Sequence, residues 1–481
     1  MAVSALFVAE EVRLRLPSSD AYFLPHASSP ERLLAAVTHD SRRVSDDAGS
    51  TLFCCVRGMN LDGHDFAASA TTDGAAALLV DHPLDIPNHQ IVVSDVRKAM
   101  GYAASIVNGD PSRAMRMVAI TGTNGKTTTA HMLESILRAA NRNPAVLGTL
   151  TQTRTTPEAT DLHARLAELR DEGRSDVVME VTSHALDLHR VNGCHFAVGI
   201  FTNLSQDHLD YHGTMERYFR TKAMLFVPEL IDRAVVNSDD LYGRLLSDAA
   251  LVPTTEIQLA HVDALSLRSS GSTFRWRGLE ISLRLAGEFN VRNAICAAVA
   301  AKLLGLEDAS IVEGLASAVV PGRYEPVNEG QSFSVVVDFA HTPDGLLNLL
   351  VAARASLAPH ARLLTVFGCG GDRDRGKRPQ MGSIAAMYSD CVILTSDNPR
   401  TEDAQAIVDE IIAGIDDVSN VTTVLDRRLA IDTAVRGARP DDVVLIAGKG
   451  HERGQESRGV VTPFDDRDVA RDALRALLGS E

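Results

Sequence analysis

Three short runs carry residue types that could handle a polyphosphate. The first, Thr121-Gly122-Thr123-Asn124-Gly125-Lys126-Thr127-Thr128, follows the apolar run 117–120 and precedes a helical pattern reaching about residue 140. A strand, a glycine turn and a helix N-terminus aim backbone N–H groups and a helix dipole at anionic oxygens. Lys126 would add a point charge for the β- and γ-phosphates, and the Thr127 hydroxyl would be a Mg²⁺ ligand. Ile120 stands where the strict phosphate-loop pattern has its first glycine. An ordinary tight turn before a helix is therefore the bland alternative.

The second run, Val178-Met179-Glu180-Val181-Thr182-Ser183-His184, places Glu180 at a strand end, suited to holding Mg²⁺ opposite the glycine turn. A lone strand-end Glu is also a common structural partner. The third run, 201–212, is dense in ligand types. Its His208 and His212 are four apart, as in a zincin helix, but Leu209 stands where that motif needs Glu. Magnesium with one borrowed imidazole suits the phosphate context better than zinc. Lys222 follows ten residues after His212, on the next expected helix. An ammonium beside a divalent cation is repelled, so its charge must be masked or reversed if it faces the metal. Otherwise it is a solvated surface lysine.

These residues need elements to place them. Residues 52–56, 75–80 and 91–93 read as strands, as do 145–147, 176–180, 198–202 and 234–237. A long helix is expected over 287–304, followed by strands at 333–339, 362–367, 391–395 and 442–447. Asn108-Gly109-Asp110-Pro111-Ser112 has linker composition, and Val320-Pro321-Gly322-Arg323-Tyr324-Glu325 breaks the pattern a second time. Strands alternating with helices imply parallel sheets with ligands at the strand carboxyl ends.

At 481 residues the chain is too long for one core, and about three domains is the natural expectation. Its 47 basic and 63 acidic residues leave a net charge of −16, which argues against a general nucleic-acid or anionic-membrane binder. Six cysteines without C-x-x-C spacing suit a reducing cytosol. Glu10 and Glu11 lie close behind the first apolar run, unlike a signal peptide, and no run is long enough to span a membrane. A cytoplasmic protein is expected.

Taken together, the runs 121–129, 179–186 and 201–213, with Pro321-Gly322-Arg323, Asp338-Phe339-Ala340-His341-Thr342-Pro343 and Gly448-Lys449-Gly450-His451-Glu452, resemble the Mur ligases of peptidoglycan synthesis. Residues 368–379 and Asp397-Asn398-Pro399-Arg400 look like the branch of UDP-N-acetylmuramoyl-L-alanyl-D-glutamate ligases. The likeness runs in order from Asp40 to Glu452.

The resemblance implies an α/β protein of three domains. Residues 1–110 would bind the UDP-sugar, 111–331 would be a P-loop-type ATPase with a mainly parallel sheet, and 332–481 would be Rossmann-like and bring the amino acid. ATP and Mg²⁺ are the implied cofactors, and UDP-MurNAc-L-Ala-D-Glu and an amino acid the implied substrates, with no nucleic acid and no membrane insertion; a monomer is expected. By position, Gly122, Thr123, Asn124, Gly125, Lys126, Thr127 and Thr128 would bind ATP phosphates, with Thr127 and Glu180 on one Mg²⁺. His208 and Lys222 would serve a second metal, Lys222 as a carbamate, whose negative charge removes the repulsion noted above. Asn293 would meet adenine, Arg323 a phosphate and Asp338 the ribose. Ser41 and the turn Met59-Asn60-Leu61 match UDP-binding segments. Thr155, Thr156, Thr182 and Arg190 match contacts to the muramoyl dipeptide. Thr182 is commonly Ser in the family, and Arg154 replaces a residue often Asn.

Arg373, Asp397, Asn398, Pro399, Arg400, Gly448 and Glu452 match the version that selects meso-diaminopimelate. That substrate carries a distal carboxylate that lysine lacks, and a guanidinium can clamp it bidentately. A plain Asx-Pro turn ending in a solvated arginine is the bland alternative. Two other readings stand beside this one: a folylpolyglutamate synthase relative with the same ATPase layout, and a Mur-like scaffold without turnover. The second predicts damage at Lys126, Glu180, His208 or Lys222, and all four are intact.

Overall fold

A computed structural model describes residues 2–16, 21–27, 32–47, 49–58, 60–268 and 271–479. The site is organised by a six-stranded sheet in the order Thr254–Ile257, Ala234–Asn237, Val198–Phe201, Arg116–Thr121, Asp176–Glu180, Pro144–Leu147. Every pairing in it is parallel. Met117, Val118, Ala119 and Ile120 are all buried, as a strand covered on both faces requires. Register puts Glu180 beside Ile120 and Phe201 beside Thr121. The glycine turn, the end of the 176–180 strand and the 202–208 loop therefore emerge together at one carboxyl edge.

Helix Lys126–Ala139 returns from that edge, burying Met132, Leu133, Ile136 and Leu137 at helical spacing. It lies against helices Glu288–Leu303 and Asp308–Ser317.

The C-terminal sheet runs Glu325–Pro326, Ser334–Asp338, Val443–Ala447, Leu363–Phe367, Cys391–Leu394, Val421–Thr423. Its first strand is antiparallel and the rest are parallel. Asp338 pairs with Ala447, and Phe367 with Leu394. The loops that follow begin at 339, 448, 368 and 395, so all four C-terminal motifs gather at one edge. The N-terminal sheet, Tyr22–Leu24, His89–Val92, Ala77–Val80, Thr51–Cys54 and Ala36–Thr38, is parallel except for its first strand.

One expectation needs correction. The reading of alternating strands and helices throughout overlooked an antiparallel three-stranded meander, Val262–Arg268, Gly271–Trp276 and Leu279–Leu283. Phe274, Trp276, Ile281 and Leu283 alternate inward onto the core while their neighbours face out. The two-residue turn Arg277-Gly278, with φ of 49° and 82°, has the left-handed pair that hairpins favour. The 108–112 segment has linker composition but is pinned to its surroundings. Asp110 accepts from Arg15 Nη2 at 2.9 Å and from Ser105 Oγ at 2.9 Å, and Ser112 Oγ accepts from the His195 N–H at 3.2 Å. The six cysteines are free, and five of them are buried.

Candidate active site

The glycine turn has little room for any other residue. Gly122 has φ of 146°, and a Cβ there would lie 2.0 Å from Thr202 Oγ1. Gly125 has φ of 87°, and its Cβ would meet Asn293 Oδ1 at 2.4 Å. Both positions thus need glycine for backbone freedom and for close approach. Lys126 opens the helix, and its Nζ folds back to donate to Gly122 O and Thr123 O, each at 2.8 Å. Burial holds its pKa below that of an ordinary lysine, against the pull of Glu180 and Asp207. The first-turn amides of this helix have no carbonyl one turn back and are open to an anion.

Thr127 Oγ1 donates to Glu180 Oε2 at 2.9 Å and accepts from Arg323 Nη2 at 3.2 Å. Glu180 Oε1 accepts from the Thr149 N–H at 2.9 Å. A hydroxyl and a carboxylate already in contact, both hard oxygen donors beside a phosphate-type loop, fit Mg²⁺. The Arg323 guanidinium lies 4.3 Å from the centroid of Phe339, a cation–π contact, and its Nε is buried without a partner. Burial lowers the Arg323 pKa and raises that of Asp338. Asp338 accepts from the N–H groups of Tyr324 and Ala340, each at 2.7 Å.

His208 sits in the left-handed region (φ 55°) at the start of the short helix Leu209–His212. Loss of hydration pulls its imidazole below the ordinary range despite Asp207 alongside, and Lys126 and Lys222 add to that effect. Asp207 lies 3.4 Å from His208 Nε2 and 4.0 Å from His341 Nε2. Burial opposes its charge, but His208, His341 and Lys377 outweigh it and hold its carboxyl at about 2. His212 turns away: its Nε2 bonds Ser183 Oγ at 2.8 Å, and its ring stacks on Tyr218 with centroids 4.8 Å apart. The pair 208/212 is no zincin site. Among the described residues a group with metal-ligand spacing is His64, Asp81 and His82, far along the chain. Its atoms are already engaged, with the Asp81 N–H donating to His64 Nε2 and Arg57 Nε donating to Asp81 at 2.7 Å.

Lys222 is on helix Met215–Ala223 and is fully buried. Its Nζ donates to Gly122 O at 2.9 Å, the same carbonyl that Lys126 uses, and lies 4.7 Å from the Tyr218 ring centroid. Burial first, then Lys126, pushes its pKa well below that of a free lysine. The solvated-surface alternative is excluded.

The carboxyl edges of the central and C-terminal sheets face each other across a cavity of about 680 Å³. One wall carries Thr123, Asn124, Gly125, Lys126, Thr127, Thr128, Glu180, His208 and Asn293. The other carries Arg373, Asp397, Asn398, Arg400, Gly448 and Glu452, with Arg323 and Asp338 between. Thr155 and Thr182 line one end. Gly122, Lys222, Thr156, Arg190 and Pro399 are not at the cavity surface. Thr156 stands behind it, its hydroxyl donating to Glu180 O at 2.9 Å, and Arg190 Nη1 donates to Thr156 O at 3.1 Å.

The walls also touch directly. Asn124 Nδ2 donates to Asp344 Oδ2 at 3.0 Å, and Gln380 Nε2 to Gln206 Oε1 at 3.2 Å.

Ser41, Asn60 and Leu61 are not brought to this cavity, and Met59 lies outside the described residues. The Ser41 turn abuts the 155–161 segment, where His39 Nδ1 bonds Thr160 Oγ1 at 3.0 Å and Arg43 pairs with Asp161 at 2.7 Å. Sequence reasoning passed over Asp207, Thr149, Asp344 and Lys377, all at the cavity. Asp207 was within reach, being an acidic residue directly before His208. Asp344 and Lys377 show their relevance only once two sheets face each other.

Two facing α/β sheets, one bearing a phosphate loop and the other a carboxylate- and guanidinium-lined wall, with a third α/β unit alongside, define a nucleotide-dependent ligase architecture. Three family descriptions match in order: "Mur ligase family, catalytic domain" over residues 34–115, "Mur ligase middle domain" over 120–301 and "Mur ligase, glutamate ligase domain" over 322–450. The chain belongs to the Mur ligase family. It is 42% identical over 471 residues to the UDP-N-acetylmuramoyl-L-alanyl-D-glutamate--2,6-diaminopimelate ligase of Syntrophomonas wolfei, covering 92% of this chain and 95% of that one. The ligase of the same name from Streptomyces coelicolor is 42% identical over 480 residues, covering 93% of each. A solved structure of a ligase so named superposes with a TM-score of 0.68 at 32% identity, over 99% of this chain and 100% of the other. Mycobacterium tuberculosis folylpolyglutamate synthase, at 20% identity, a TM-score of 0.60 and coverage of 79% of this chain and 95% of that one, shares the fold alone.

Proposed function

We propose that this chain is the ATP-dependent amide ligase that adds meso-diaminopimelate to UDP-N-acetylmuramoyl-L-alanyl-D-glutamate, a step in making a peptidoglycan precursor. The observation that carries the reading is the shared cavity, with Lys126, Thr127 and Glu180 on one wall and Arg400, Asp397, Asn398 and Glu452 on the other.

The chemistry follows from what these walls hold. An oxygen of the D-glutamyl carboxylate attacks the γ-phosphorus of ATP, ADP departs, and an acyl phosphate forms. The amine nitrogen, having given its ammonium proton to water, then adds to the acyl carbon and loses a second proton to the departing phosphate. The tetrahedral intermediate expels phosphate, which carries away the original carboxylate oxygen, and an amide remains. Two anions must meet in the first step. Lys126 and the helix amides offset that repulsion, and Arg323 stands ready for phosphate charge. Thr127 and Glu180 would hold one Mg²⁺, and His208 with Lys222 a second. When bound, these ions would supply further neutralisation of phosphate charge. Lys222 would act as a carbamate: its burial favours the neutral amine that CO₂ needs, and carbamylation exchanges a cation for an anion.

On the facing wall, Arg400 and Arg373 would take the distal carboxylate of meso-diaminopimelate, and Asp397 and Glu452 its ammonium. Asn398 and Gly448 would line that pocket, with Pro399 shaping the turn behind them. Asn293 would contact adenine and Asp338 the ribose. Thr155, Thr156, Thr182 and Arg190 would hold the dipeptide, and Ser41 with residues 59–61 the UDP. Residues 1–110, 111–331 and 332–481 would correspondingly serve UDP-sugar, ATP and amino acid. The protein would work as a cytoplasmic monomer. No described helix is long and apolar enough to cross a membrane.

The acyl-phosphate route is tested with substrate labelled by ¹⁸O in the D-glutamyl carboxylate. One labelled oxygen should appear in the released phosphate. Unlabelled phosphate with amide formed would overturn the route.

A further inference from the structure

The hairpin Gly454–Ser457/Val460–Pro463 follows strand Val443–Ala447 in the chain, with Val460 and Val461 both exposed. Its first strand runs along the loop that carries Arg400. The Glu456 N–H donates to Asn398 Oδ1 at 2.9 Å, the Arg400 N–H to Glu456 O at 3.1 Å and the Arg458 N–H to Arg400 O at 2.6 Å. Gln455 Nε2 donates to Asp397 O at 2.8 Å. These bonds hold Arg400 in the left-handed region, at φ of 53°, which an arginine does not adopt unaided.

The guanidinium itself is held by two residues that do not line the cavity. Nε lies 3.3 Å from Glu456 Oε2, and Nη1 donates to Gly371 O at 2.6 Å. Arg400 lines the cavity and Glu456 does not. A guanidinium has five N–H donors. Nη1 spends one N–H on Gly371, and Glu456 anchors the Nε end by charge at ion-pair distance, which leaves the second N–H of Nη1 and both of Nη2 for a ligand. That is the end-on pair a carboxylate accepts in two-pronged fashion.

We infer that Glu456 is a positioning residue for amino-acid selection: from behind the wall it fixes the Arg400 guanidinium so that its free end faces the distal carboxylate of the diamino acid. This rests on the ligase reading above. Glu456 is partly exposed and touches no reacting atom, so it acts through Arg400 alone.

The test is steady-state kinetics of Glu456→Gln, which keeps the size and removes the charge. The KM for meso-diaminopimelate should rise about two- to five-fold, the scale of one partly exposed ion pair. The KM for ATP and the melting temperature should be unchanged. With L-lysine, which lacks the distal carboxylate, the variant should match the wild type, so discrimination between the two amino acids narrows. In an Arg400→Lys background the same substitution should add little, because its partner is gone. An unchanged KM for meso-diaminopimelate, an equal rise for ATP, or full additivity with Arg400→Lys would overturn the inference. A wild-type enzyme inactive with meso-diaminopimelate would instead overturn the ligase reading, and this inference with it.

Discussion

Lys222, fully buried, and Lys126, on the cavity wall, donate to one carbonyl, Gly122 O. Two ammonium groups there repel each other, and burial drives Lys222 toward the neutral amine. Lys222→Ala should therefore abolish turnover, by about three orders of magnitude or more, the scale of losing a main electrostatic group. Added bicarbonate should not restore it. Carbon-13 NMR with labelled bicarbonate should show a carbamate resonance in the wild type that the variant lacks; a wild-type rate in Lys222→Ala would remove the lysine from the metal site. Arg400→Lys should raise the KM for meso-diaminopimelate by about ten-fold or more and leave that for ATP within about two-fold, because an ammonium has no fork to offer. Equal effects on both would point to a folding defect. At this scale the sequence was largely legible. Lys126, Thr127 and Glu180 announce themselves by following strands, and the strands are where they were expected. What no sequence pattern reveals is that Arg323 reaches Thr127 or that Glu456 stands behind Arg400, since those contacts cross 196 and 56 residues of chain (323 − 127 and 456 − 400).

Among the elements, helix Ala159–Asp171 joins the first two units through a buried histidine. His163 Nε2 donates to Asn192 O at 2.9 Å, and Asn192 Nδ2 in turn donates to Lys98 O at 3.1 Å. His163 Nδ1 is buried with no acceptor to receive a proton. Burial accordingly lowers the His163 pKa to about 4 from its ordinary 6.5. The unfolded chain binds this proton more readily than the folded one, so stability falls as pH drops from 6.5 towards 4 and levels off below. The shift corresponds to about 3 kcal/mol. His163→Gln should flatten that part of the stability profile in denaturant titrations at pH 7, 5.5 and 4; an unaltered slope would exclude His163 as its source. What the sequence left unread has separate causes. The 262–283 meander carries several polar outward residues, and its hairpin turn is Arg-Gly rather than the more recognisable Asn-Gly. The 108–112 segment has linker residues but is fixed by partners distant in sequence, including Arg15 and His195.

For the whole molecule, the contacts between the facing walls include polar side-chain pairs that can be exchanged, among them Asn124 with Asp344 and Gln206 with Gln380. Such a boundary permits rigid-body closure around substrates. Small-angle scattering should show a smaller radius of gyration when ATP analogue and UDP-substrate are both present; an identical radius would argue that the units do not move. The central claim, that one cavity activates a D-glutamyl carboxylate and admits a diamino acid chosen by its distal carboxylate, has its most direct test in a competition of amino acids. Phosphate release with ATP and UDP-N-acetylmuramoyl-L-alanyl-D-glutamate should depend on the added amine. The account predicts kcat/KM for meso-diaminopimelate higher than for L-lysine by about a hundred-fold, the scale of a charge-assisted bidentate pair. Equal values for the two would contradict it.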